Sequence, residues 1–197
     1  GDEVVYGESP EPVKFPWAVG HEMPAWMAAY GPLALKTAGE HADGVVLQIA
    51  EPGLCKWFTD QCLEAGRAQG RDMSGFRSMS CAPAYFGDKG KAIEATKWFP
   101  AMVGNHVADI VEKYGKDTSL VPASLTGYIE KRRGYDYSKH GQSSNPYLDF
   151  ITPDVVENFC VLGEPDEHIA KVRKLQAAGV TQFNIHLDSG MEEEIIA

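Results

Sequence analysis

The run Val45-Val46-Leu47-Gln48-Ile49 limits the fold more than any other stretch of the chain. It is apolar, rich in β-branched residues, and does not alternate with polar ones. A strand with one wet face alternates; a run of this kind suits a strand buried on both faces, as in a parallel sheet. Helical patterns flank it. Before it, Pro32 to His41 reads as a helix, with Pro32 in the first turn, where its missing N–H costs nothing. After it, residues 53–69 repeat Leu54, Phe58, Cys62 and Ala65 at helical spacing, in one apolar stripe. Parallel strands need long crossovers, usually helical, so this order is that of βαβ units.

The alternation extends along the chain. Ala25 to Ala29 is strand-like, and Asp43-Gly44 turns the chain into the central run. Phe76 to Phe86 is a third strand. Asp88 can cap a long helix containing Ile93, Trp98, Val103, Val107, Ile110 and Val111, which Pro100 should kink or divide. Asp117 to Arg133 is mostly helical, and Gly134 to Pro146 is a polar loop. Thr152 is expected to cap a short helix that Pro153 opens. Gly163-Glu164-Pro165 turns into another helix through Ala178, ended by Gly179 as its C′ residue. Val180 to Leu187 is the last strand. Residues 1–23, rich in Pro, Gly and Glu, read as an irregular lead-in. The expectation is one α/β domain over residues 1–197 with a parallel sheet. Four strands with this much helix fit half of an eight-stranded barrel carrying a helical insertion. They also fit a small open sheet, and periodicity does not decide between the two.

Charge narrows the partners. The net charge is −10 and the pI about 5.0, with 44% hydrophobic and 23% charged residues. An acidic globular chain without a basic stripe is a poor match for nucleic acid or an anionic membrane. Lys131-Arg132-Arg133 is too short to change that and reads as a solvated helix end. No stretch approaches transmembrane length and no secretory signal opens the chain, so cytoplasm is the default expectation. Cys55, Cys62, Cys81 and Cys160 form no CxxC pair and have apolar flanks, as buried thiols do. The chain opens Gly-Asp-Glu without Met and closes on Met-Glu-Glu-Glu-Ile-Ile-Ala, which reads as a helix beginning. Both ends read as those of a piece of a longer protein.

Few residues carry chemistry. Ala28-Ala29-Tyr30-Gly31-Pro32 joins a strand end of small residues to a helix start. Glycine lets a ligand approach the backbone, and the first N–H groups of the helix are free, which together make an anion site. A tight βα turn that binds nothing is the commoner use of this pattern. Neither GxGxxG nor GxxxxGK[ST] occurs, which removes the dinucleotide fingerprint and the P-loop. Gln48, polar at the end of an apolar strand, can hydrogen-bond a flat heterocycle or simply satisfy a loop. His186 and Asp188 stand where the last strand ends; a His near an Asp suits acid–base work, though a surface pair is commoner. His41 and His168 read as exposed helix positions. Ser143-Ser144 has no nucleophile-elbow context. Tyr135, Tyr137, Lys139 and His140 make the polar loop a candidate substrate surface.

Three segments, taken in order, resemble the luciferase-like monooxygenase superfamily: PAWMAAYGPLALKTAGEHADGVVLQ, WFPAMVGNHVADIVEKYG and VLGEPDEHIAKVRKLQAAGVTQFNIHL. The resemblance is nearest the deazaflavin-dependent branch, which uses coenzyme F420. It implies a (β/α)8 TIM barrel of which this chain supplies strands five to eight, with residues 115–160 in or near an insertion. It also implies a cofactor, coenzyme F420 or alternatively FMN, whose phosphate sits on the loop matching Ala28, Ala29, Tyr30, Gly31 and Pro32, with Gln48 lining the pocket. The family's catalytic residues lie largely in the half not matched, so none carries over. The implied partners are a small-molecule substrate and, for an incomplete barrel, a second copy or the remaining half. The alternatives are a non-catalytic fragment and an unrelated small α/β binding domain.

Overall fold

The computed structural model of the chain describes residues 20–21, 23–104, 151–187 and 192–196. The elements alternate as the apolar runs require. Strand β1 is Trp26–Ala28, helix α1 Pro32–His41, β2 Gly44–Leu47, α2 Pro52–Ala68, β3 Arg77–Phe86 and α3 Lys89–Thr96. After them come α4 (Pro153–Phe159), β4 (Val161–Gly163), α5 (Pro165–Ala177), β5 (Gln182–His186) and the short α6 (Glu192–Ile196).

Every strand pairing is parallel, and β1, β2 and β3 lie side by side in sequence order. The long β3 carries the rest: residues Met79 to Pro83 pair with β5, and Ala84 to Phe86 with β4. Strands β1, β2 and β3 follow sequence order without reversal, as neighbours in a barrel arc do, while β4 and β5 both lie beside β3.

Helix α2 lies on one face of this arc. Ser78 Oγ meets Thr59 Oγ1 of α2 at 2.8 Å, so Ser78, Ser80 and Ala82 are on that face. On β2 the same face carries Val45 and Leu47, both fully buried. Helices α1 and α2 cross closely. A Cβ on Gly39 would stand 2.1 Å from the Cys62 carbonyl oxygen, so glycine sets the approach distance. Leu35, Leu54, Phe58 and Cys62 fill the layer beneath. Arg71 reaches back from the α2–β3 loop to donate to the carbonyls of Gly39 and Ala42, closing the C-terminal end of α1.

The long helix expected after Asp88 is divided. Asp88 caps α3 by accepting from the Lys91 N–H at 2.9 Å. The helix ends at Thr96, and residues 98–104 are helical again. Thr96 is four residues before Pro100, whose ring clashes with the carbonyl at that position and offers no N–H to it. Pro100 then falls in the first turn of the second run, where both defects are harmless. Val107, Ile110, Val111, the helix to Arg133 and the loop to Pro146 lie outside the described residues.

One strand is added and two expectations are corrected. Strand β4 had no periodic signal, because three residues buried on all sides show none. Thr152 occupies the N-cap of α4 but its hydroxyl makes no capping bond; Pro153 alone marks that start. His168 is buried, not exposed. Its Nε2 lies 3.1 Å from the Tyr85 carbonyl oxygen and its ring stacks on Phe86 at 4.0 Å. It locks α5 onto the end of β3. At the start of α5, Glu164 and Glu167 form a reciprocal capping box, and Gly163 (φ 108°) leaves room for the Glu167 carboxylate, which a Cβ would meet at 2.1 Å.

Candidate functional site at the carboxyl ends of the strands

In a parallel β/α sheet the strand carboxyl ends share one rim, where ligands bind. The first part of that rim is the β1–α1 turn. Ala28 is exposed, Ala29 fully buried, and Tyr30 half-buried. The Tyr30 ring folds inward, edge-on to Phe58 of α2 with centroids 5.6 Å apart. Its hydroxyl accepts a hydrogen bond from the backbone N–H of Gln48. That bond ties the end of β1 to the end of β2. Burial raises the Tyr30 pKa well above the phenol range, so the group stays neutral.

Gly31 is the N-cap of α1 with φ −78° and ψ 155°, and no side chain caps the helix. Pro32 follows at the first position, and the first turn holds no acidic residue. The N–H groups of Leu33 and Ala34 therefore lie among the unsatisfied donors of a helix start. A Cβ placed on Gly31 would meet nothing within 4 Å, so the space above the turn is open. The other described helices of eight residues or more begin with a carboxylate: Glu51 accepts from Leu54 N–H at 2.6 Å, Asp88 caps α3, and Glu164 with Glu167 caps α5. Only α1 among these presents its positive end without a built-in anion. The arrangement can take the phosphate of a cofactor, with a glycine where close approach is needed.

The second part is the face of the sheet away from α2. Strand register pairs Met79 with Gln182, Cys81 with Asn184 and Pro83 with His186. These six share the face opposite Ser78 and Ser80. Gln48 follows β2 at the same rim and is half-buried. His186 ends β5 there, its ring centroid 5.6 Å from that of Phe99, in the helical run after α3. Its Nε2 is the buried side-chain nitrogen or oxygen without a hydrogen-bond partner among the described residues. Such an orphan costs about 1–3 kcal/mol. Asp188, the expected companion of His186, lies outside the described residues. So do Ser143, Ser144, Tyr135, Tyr137, Lys139 and His140.

Nucleophilic thiol chemistry is disfavoured at the described cysteines. All four are buried and none is in a disulfide. Burial pushes the Cys55 and Cys62 thiols up to about 12 and raises Cys81 as well, which keeps them protonated. Among the described residues no group of three or more His, Cys, Asp or Glu could hold a metal ion, and no helix is long and apolar enough to cross a membrane.

Ala28 to Pro32 and Gln48, separate in sequence, thus meet at one rim, with Tyr30 as the link. The contacts of Pro83 and Phe99 with His186 had no signal in the sequence, since they depend on β3–β5 pairing and on the helical run folding back over that pair.

The profile of a family described as luciferase-like monooxygenase matches residues 1–182. The 5,10-methylenetetrahydromethanopterin reductase of Methanopyrus kandleri is 30% identical over 181 residues, covering 89% of this chain and 48% of that protein. The solved coenzyme F420 dependent tetrahydromethanopterin reductase from Methanopyrus kandleri superposes with a TM-score of 0.57 at 28% identity, over 82% of this chain and 44% of that one. An F420-dependent secondary alcohol dehydrogenase gives a TM-score of 0.58 at 19% identity, over 94% of this chain and 50% of that one, a likeness of fold. The chain spans about half the length of the curated relatives it matches.

Proposed function

The chain belongs to the luciferase-like monooxygenase family, and from that premise we propose that it forms part of a deazaflavin-dependent oxidoreductase, contributing strands five to eight of the barrel and the seat for the coenzyme F420 phosphate. The observation that carries the proposal is the uncapped, acid-free start of α1 beneath the open space at Gly31. Relatives described as coenzyme F420 dependent support the choice of cofactor.

The residues present fit the phosphate end of such a group. The N–H donors of Leu33 and Ala34 and the positive end of α1 favour an anion there. Tyr30 holds Gln48 in register beside it, so that the Gln48 amide can meet a polar ring edge. When bound, a deazaflavin supplies a hydride to a small-molecule substrate, as a two-electron carrier. The chain's own part is to anchor one end of the cofactor and to line one side of the chamber.

The reading includes a partner that completes the barrel, either the remaining half or a second copy. Strand β5 supports it. Beneath α5, its outward residues Phe183 and Ile185 border a cleft of about 400 Å³, and Ile169, Val172 and Ile185 remain substantially exposed. Faces of β2 and β3 that lie between two helices show no such exposure.

Titration of the chain with coenzyme F420 and, separately, with FMN tests the assignment by change in chromophore fluorescence. We expect F420 to bind, with Gly31→Val weakening it by about tenfold or more. Saturable FMN binding with no F420 binding would transfer the site to a flavin. Failure of both would remove the cofactor role from this chain.

A further inference from the structure

Resting on the deazaflavin reading above, we propose that His186 is a cofactor-binding residue, its imidazole hydrogen-bonding the polar edge of the deazaflavin ring system at the end of the chamber opposite the phosphate seat.

Three independent observations converge on it. The first is position. His186 is the last residue of β5, opposite Pro83 of β3, and shares with Cys81 and Asn184 the face opposite Ser78 and Ser80. It stands on the rim where the β1–α1 turn also opens. The second is an unmet bond. Its Nε2 is buried without a partner, whereas the other imidazole buried against β3, that of His168, has the Tyr85 carbonyl. A polar atom left unpaired in the protein alone is what a bound group can satisfy. The third is reach. From β1 through β2 and β3 to β5 there are three interstrand steps of about 4.8 Å, roughly 14 Å along the rim. That is the scale on which an elongated cofactor, anchored by phosphate at Gly31, presents its ring at the far end.

The local surroundings suit a ring. His186 as a whole is only half-buried; its Nε2 is buried, and the Phe99 ring packs beside the imidazole. A flip of the imidazole about its outer side-chain bond moves Nε2 toward the other side of the ring. Phe99, fully buried and tilted by 52° to the imidazole, backs that ring with an apolar neighbour. A neutral imidazole carries one donor and one acceptor, so it can meet either a ring carbonyl or a ring N–H.

The test uses the full chain labelled with 15N-histidine and two probes: coenzyme F420, and the deazaflavin chromophore lacking the phosphate and everything beyond it. His186→Gln assigns the His186 ring signals and serves as the conservative variant; His186→Phe removes the bond while keeping a ring. We expect both probes to shift the His186 ring nitrogen signals. His186→Phe should weaken the phosphate-free chromophore about tenfold, near 1.4 kcal/mol, with His186→Gln recovering part of the loss. Gly31→Val should weaken F420 and leave the phosphate-free chromophore unchanged. Ring signals that stay put while the cofactor binds, or equal chromophore affinity in His186→Phe, overturn the assignment of His186 and leave the phosphate seat standing. Absence of binding by either probe overturns both. Circular dichroism identifies a variant that fails to fold, in which case the nitrogen shifts in the unaltered chain decide the matter.

Discussion

The hydroxyl of Tyr30 accepts a hydrogen bond from the backbone N–H of Gln48, across eighteen residues of sequence. One turn of the candidate site is thereby held by the other. Tyr30 lies in the motif expected to touch the cofactor, yet its polar end is turned into the protein. It acts on the rim by positioning, with Phe58 packed against its ring.

Tyr30→Phe should keep the ring packing and strand the Gln48 N–H in a half-buried setting. An unmet buried donor costs about 1–3 kcal/mol. The expected outcome is a lower urea midpoint, together with weaker binding of the phosphate-free chromophore as Gln48 loses its register. Unchanged affinity beside a lowered midpoint would reduce Tyr30 to a structural role.

Gln48→Ala should weaken the ring more than the phosphate. Measured by titration, the loss for the phosphate-free chromophore should match the loss for F420, and inorganic phosphate should compete as before. Equal losses for chromophore and inorganic phosphate would count against a ring contact.

Gly39→Ala tests the close crossing of α1 and α2. Its new methyl meets the backbone carbonyl of Cys62, which cannot swing away as a flexible side chain does. Overpacking of this kind costs about 1–3 kcal/mol, read as a fall in the denaturant midpoint. By contrast, a Cβ on Gly31 meets nothing within 4 Å at an ordinary φ, so Gly31→Val should lower the midpoint less than Gly39→Ala, by no more than the N-cap preference for glycine over valine.

Arg71→Lys should destabilise although the charge is kept. Arg71 serves the Gly39 and Ala42 carbonyls with two nitrogens of one planar fork, and a lysine ammonium cannot reproduce that geometry. A loss of about 1 kcal/mol is expected in chemical unfolding, with Arg71→Ala costing more.

His168 gives the pH dependence its sign. Burial first, against the opposing pull of its backbone bonds and Glu167, lowers its pKa below the ordinary 6.5. The unfolded chain then binds a proton more readily than the folded one. Its contribution to stability is full above about 6.5 and declines as pH falls through the lowered folded value. Unfolding midpoints measured between neutral and acid pH should fall, and His168→Phe should flatten that slope. An unchanged slope would assign the acid sensitivity to other groups.

The helices and strands were largely legible because their signals are local. Pro32 and His41 bound α1 in sequence and in structure alike. The apolar run after Asp43 became β2, and Pro100 divided its helix by a clash that any chain would suffer there. The Gly-Pro turn could be named as a possible anion site for the same reason: a free helix start follows from covalent geometry. Tertiary structure decided the rest. Whether the parallel strands form an arc depends on which edges pair, a long-range choice that hydrophobic period does not encode. His168 looked exposed because its own helix is polar around it; Phe86 and Tyr85, more than eighty residues earlier, bury it. Strand β4 is too short to carry a period. The inward turn of Tyr30 and the unpaired nitrogen of His186 exist only once β1, β2, β3 and β5 are side by side, because hydrogen-bond satisfaction belongs to neighbours in space.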